Sequence, residues 1–180
     1  MSICVKLFNM NLFILSLSQK NIAKYMMDKH VSKILLEAVQ MLCTTKRIVD
    51  PDDNNDCIYK IAHKNHPVTK WCRESRENFM WVLILVEKLH NEWKFRYNHP
   101  KDKYHKSYLV ALYIAHNIPS KAKFEKDGLT PFALAMPEKY KCKDPVKAYR
   151  DYYMSPEKQV FASWNKQRNK PYWYIVNKKI

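Results

Sequence analysis

One glycine, Gly128, serves the entire 180-residue chain. Sandwiches and dinucleotide folds need several glycines for tight turns and phosphate loops, so both are disfavoured. Hydrophobic residues at 47% and aromatics at 13% exclude a disordered chain. What remains is an all-α protein: one compact domain, 1–180, of about five helices, with a short extended N-terminal segment and long ordered loops. Residues 1–9 read as a lead and 168–180 as a basic-aromatic tail. A chain of this length buries enough apolar surface to need no staple.

The clearest helical signal covers residues 25–44. At about 100° per residue, Met27, Val31, Ile34, Leu35, Ala38 and Leu42 fall in one apolar stripe. His30, Lys33, Glu37, Gln40 and Thr44 form a second, narrower row of groups that donate, accept or hold charge. Such a row is either a solvated face, with a Lys33–Glu37 pair contributing roughly 0.3 kcal/mol, or the wall of a site.

A first long helix is expected over about 20–46, capped by Ser18 or Asn21. A second runs from Pro67 to about Tyr97. A third covers about 104–117, with Leu109, Leu112 and Tyr113 inward. Asp144-Pro145 starts a fourth, to about Tyr153, and Ser155-Pro156 a fifth, to about Trp164. Residues 10–16 read as a buried extended segment. The Pro51-Asp52-Asp53 turn cluster and residues 118–140, with Pro119, Gly128, Pro131 and Pro137, are loops.

The chain has 32 basic and 17 acidic residues, a formal net charge of +15. That excess points to a polyanionic partner, nucleic acid before membrane. A composition generally rich in Lys, Asn, Ile and Tyr is the other possible source. In the tail, Arg168 and Lys170 can neutralise phosphates while Tyr172 and Trp173 stack on bases or pack onto the domain. Arg150, Lys158 and Lys166 extend the positive charge upstream.

Cys4, Cys43, Cys57, Cys72 and Cys142 are odd in number and irregularly spaced, which fits reduced thiols in the cytoplasm, nucleus or a viral factory. The apolar stretch 1–17 is interrupted and too short to span a bilayer. Cys57, His63, His66 and Cys72 offer four zinc-type ligands, but their spacing matches no common finger. A metal-dependent, nuclease-like enzyme built on His63 and His66 stays open as a minor alternative. No P-loop, zincin or dinucleotide motif is present, so no cofactor is expected.

Three blocks resemble the phage pyrimidine-dimer DNA glycosylase/AP lyases. The first is Met10-Asn11-Leu12-Phe13-Ile14-Leu15-Ser16, leading into a helix with an acid at Asp28. The second is His63-Lys64-Asn65-His66-Pro67, followed by a long helix ending in Arg96-Tyr97. The third is Pro171-Tyr172-Trp173-Tyr174. Asp28-Lys29-His30, Thr130 to Pro137 and Ala148 to Tyr153 also resemble uncharacterised proteins of phages and large DNA viruses, which adds packaging in a virion as an option.

The resemblance implies a compact all-α fold that attacks damaged pyrimidines in double-stranded DNA. An amine adds to the sugar C1′ and a nearby carboxylate assists. The family's acid aligns with Asp28; Glu37, in the row on the helix, is the alternative. The amine would be the N-terminus, with Met10 as an alternative start, or Lys29 or Lys33. The catalytic candidates are therefore Asp28, Glu37, Lys33 and His30, the last also suited to phosphate. Lys29, Lys64, Asn65, His66 and Arg73 are expected on nucleic acid, together with Arg150, Lys158, Arg168 and Trp173. A non-catalytic nucleic-acid-binding or packaging protein is the competing expectation.

Overall fold

The apolar stripe becomes α2, Asp28–Val49, the helix against which α3, α4 and α5 pack. Met27, Val31, Ile34, Leu35, Ala38 and Leu42 are all buried, each contributing on the order of 1–3 kcal/mol by leaving water. The structure is a computed structural model and describes residues 10–53 and 55–175. The possible N-terminal amine at Met1 and the lead 1–9 lie outside the described residues.

The chain does not form one helix over 20–46. α1 spans Gln19–Tyr25, with Ser18 Oγ accepting the Asn21 N–H at 3.4 Å, and stops before α2. The cause is tertiary. The Arg96 guanidinium takes the carbonyls of Met26 at 2.7 Å, Lys24 at 2.9 Å and Ala23 at 3.3 Å, groups at the end of α1 left free by the break.

The expected 67–97 helix is also divided. α3, Pro67–Cys72, ends at Arg73, and α4, Arg76–Arg96, restarts where Ser75 Oγ accepts the Asn78 N–H at 3.0 Å. α5, Lys106–His116, packs on α2 and α4. Leu109, expected inward, is 53% exposed; Ala111 and Ile114 take the buried positions. α6, Pro145–Tyr153, begins as expected, with Asp144 Oδ1 accepting the N–H groups of Val146 and Lys147. α7 is a single turn, Pro156–Gln159, so the helix expected to reach Trp164 stops short.

Among the described residues there is no strand; one isolated bridge joins Ser75 to Lys126. Residues 118–140 follow an ordered path with two 3₁₀ turns, Lys121–Lys123 and Glu138–Tyr140. Asn78 pins this loop by donating to Thr130 Oγ1 and accepting the Thr130 N–H. Residues 10–15 are buried, lie outside any helix and are laid over α2 and α6. Lys46, also buried, is satisfied by Asp53 at 2.5 Å, Asp50 at 3.5 Å and the Asn117 carbonyl at 2.7 Å. Among the described residues, no helix is long and apolar enough to cross a membrane.

Candidate active site

The second row of α2 turns away from bulk water. Glu37 is only 8% exposed, because residues 10–15 cover it. Its Oε2 accepts the Asn11 N–H at 3.2 Å, and Lys33 Nζ lies 3.7 Å from Oε1. Burial pushes the Glu37 carboxyl up to about 7, against the opposing pull of Lys33, the Asn11 N–H and Lys158.

Asn11 organises the covering segment. Its Nδ2 donates to the Ala135 carbonyl at 2.6 Å, and its Oδ1 accepts the N–H groups of Leu12 at 2.9 Å and Phe13 at 3.4 Å. The resulting turn forces Phe13 to φ +48°, a left-handed conformation that a bulky side chain rarely adopts. Strain of this kind is held in place only where surrounding contacts over-determine it. Here the Phe13 ring stacks on His30 at 4.9 Å and 14°, and sits edge-on to Tyr153 at 5.0 Å.

His30 is 3% exposed and neutral. Burial, then Lys158 and Lys33, push its imidazole down to about 3. A neutral imidazole could meet a phosphate only as a hydrogen-bond donor. Tyr153 Oη accepts the Met27 N–H at 2.8 Å and is hydrogen-bonded to His30 Nδ1, also at 2.8 Å.

Lys158 completes the group from the other end of the chain. Its Nζ lies 5.0 Å from the Tyr152 ring centroid, 5.4 Å from Phe13 and 6.0 Å from Phe161. Burial and the charge of Lys33 push its amine below the usual lysine range, with Glu157 and Glu37 pulling the other way. Lys29, at the edge, places its Nζ 5.8 Å from the same Phe161 ring.

Asp28 takes no part in these contacts. Its Oδ1 accepts from Arg96 Nη1 at 3.0 Å, and its Oδ2 accepts from Ser163 Oγ at 3.0 Å and the Asn165 N–H at 2.7 Å. With its own N–H bonded to the Ser163 carbonyl at 2.8 Å, it ties the start of α2 to α4 and to the tail.

The nucleic-acid candidates divide. His66 caps α3, its Nδ1 accepting the Val68 N–H at 3.3 Å, and burial holds its imidazole below the ordinary range. Lys64 and Asn65 are exposed beside it, on a loop that Arg73 closes by donating to the Lys64 carbonyl. Arg150 donates to the Leu15 carbonyl at 3.0 Å and lies over Trp173 at 4.9 Å. Arg168 is engaged with Glu92, at 2.7 and 2.9 Å. No group of three or more His, Cys, Asp or Glu among the described residues could hold a metal ion.

Sequence reasoning missed Asn11, Phe13 and Tyr153 as site residues, and it did not place Lys158 against the Phe13 ring. A polar Asn11 inside an otherwise bulky apolar run was the available signal. No family model, curated protein or solved structure matches the chain.

The Glu37 carboxyl gives the site a stability signature. Its folded value, about 7, lies above the unfolded 4.5, so the folded state binds the extra proton between those limits. Stability is therefore lost as pH rises from about 4.5 through 7. Glu37→Gln should stabilise the fold at pH 8 by on the order of 2 kcal/mol, seen as a higher melting temperature, and change nothing near pH 4. Equal melting of both proteins at pH 8 would contradict a desolvated carboxylate.

Proposed function

We propose that this chain is a DNA-binding enzyme of the glycosylase/AP lyase kind, with Lys158 as the amine nucleophile and Glu37 as the assisting carboxylate. One observation carries the reading. A lysine pushed down lies against the Phe13 ring, whose segment roofs a carboxyl pushed up, so the amine gives up its proton and the carboxyl keeps its own more readily than exposed residues would. The net charge of +15 supports a polyanionic substrate.

The Lys158 lone pair attacks C1′ of an abasic sugar, and water leaves as the iminium forms. On an intact damaged nucleotide the same attack breaks the glycosidic bond and expels the base, which must first leave the stack; the C1′–O4′ bond then opens, O4′ takes the proton released by the nitrogen, and the same iminium forms. The Glu37 carboxylate then removes a C2′ proton, the C3′–O bond breaks and the 3′ phosphate departs. Hydrolysis of the imine restores the amine.

Incubation of the full chain with duplex DNA holding one abasic site, followed by borohydride, should trap a covalent adduct that maps to Lys158. Intact DNA binding with no adduct would overturn the reading. A second reading, a non-catalytic nucleic-acid-binding protein, is favoured by the ring faces around Lys158, which stabilise the ammonium form. It requires binding without an adduct and indifference to Glu37→Gln.

A further inference from the structure

We infer that the face made by α1, the end of α4 and residues 168–173 binds single-stranded nucleic acid, with a phosphate in a lysine-walled cavity and an unpaired base on the Tyr172 ring. The inference rests on the nucleic-acid part of the proposed function and is independent of its Lys158 chemistry.

The cavity measures ≈ 360 Å³, with Lys20, Lys24, Lys88, Phe95 and Arg168 in its lining. One carboxylate, Glu92, also lines it and is already saturated. Its Oε1 accepts from Arg96 Nε and Arg168 Nε, each at 2.7 Å, and its Oε2 from Arg168 Nη2 at 2.9 Å. Burial works against the charged form, but the bonds from Arg168 and Arg96 outweigh it and hold the carboxyl below its ordinary range. Glu92 therefore cannot also neutralise the lysines. Lys88 pairs with Glu87 at 3.0 Å. Lys20 and Lys24, one helical turn apart on α1, have no carboxylate within ion-pair distance among the described residues. An anion entering the cavity would meet two ammonium groups whose charge nothing cancels.

The next residue, Tyr25, begins an aromatic ledge. Tyr172 stands edge-on to Tyr25 at 6.5 Å, and Tyr25 edge-on to Trp173 at 5.8 Å. The Arg150 guanidinium covers Trp173 at 4.9 Å and Tyr25 at 5.9 Å. The ledge is braced by Trp164, whose indole N–H donates to the Tyr25 carbonyl at 3.0 Å. Tyr172 is 78% exposed, so a ring on a braced support is left facing water.

Uncancelled cations on α1 and an open ring packed on its last residue, Tyr25, fit a phosphate followed by a base. An acidic peptide would use the lysines and leave the ring idle. A duplex hides its base faces inside the stack, so stacking on Tyr172 selects an unpaired nucleotide. For the proposed enzyme, this describes a substrate with a single-stranded flank, such as a gap, a fork or an opened lesion.

The test is fluorescence anisotropy of labelled, lesion-free oligothymidylate and of a duplex of equal length. The protein should prefer the single strand. Tyr172→Ala should weaken single-strand binding by about five-fold or more, while Tyr172→Phe keeps it. The Lys20→Ala/Lys24→Ala protein should flatten the salt slope by about 0.7 for each phosphate it no longer neutralises. Equal affinity for both forms, untouched by Tyr172→Ala, would overturn the inference, as would binding to phosphatidylserine vesicles in place of the oligonucleotide. An absent adduct with normal oligothymidylate binding removes only the catalytic reading.

Discussion

Lys158→Ala should abolish the borohydride-trapped adduct and leave the melting temperature close to that of the wild type. The side chain is half-buried and lies against aromatic rings, and its amine forms no hydrogen bond or ion pair among the described residues. Lys158→Arg should fail equally, because a guanidinium keeps the charge and the ring contacts but offers no free amine at neutral pH. Arginine thereby separates nucleophile from anchor. Glu37→Gln should retain an initial adduct while slowing elimination by about 10²–10⁴-fold, the usual range for removal of a proton-transfer group. Trapping that persists undiminished in Lys158→Ala would move the nucleophile to another amine and end the present assignment.

The second large effect concerns Asp28, and it is one of stability. Asp28→Ala would leave buried Arg96 with only Glu92, a carboxylate that Arg168 shares, and would remove the acceptor of the Ser163 hydroxyl and the Asn165 N–H. Breaking a buried pair from one side costs about 3–5 kcal/mol, which for a chain of this size lowers the melting temperature by about 10 °C. The trapping rate per folded molecule should nevertheless survive at low temperature. Glu37→Gln is expected to behave in the opposite way, more stable at pH 8 and chemically impaired. If Asp28→Ala instead abolished trapping in protein shown to be folded by circular dichroism, Asp28 would be restored as the working acid.

These contrasting roles were only partly legible in the sequence. On the helix, the geometry of His30, Lys33 and Glu37 was legible because it needs only the 3.6-residue period. So were Asp144-Pro145 and Ser155-Pro156, whose capping and ring constraints act locally. The break at Met26-Met27 was not legible: no proline or glycine marks it, and its cause, Arg96, lies 70 positions away. Ser75, by contrast, was a readable cap that a continuous apolar pattern overrode. The surroundings of Lys158 were hidden for the same reason as the break. What lowers its proton affinity is burial and the charge of Lys33, and no local pattern brings residues 33 and 158, or 13 and 158, together.

Asn11 holds Glu37 with its backbone and Ala135 with its side chain, so one residue keeps the carboxyl roofed. The proton on that carboxyl is consequently a gauge of whether the roof is on. Lift residues 10–15, and water reaches the oxygens, the acid strengthens and a proton is shed to solvent. Any motion that admits a bulky guest there must, at neutral pH, be accompanied by proton release that a weakly buffered indicator dye can count.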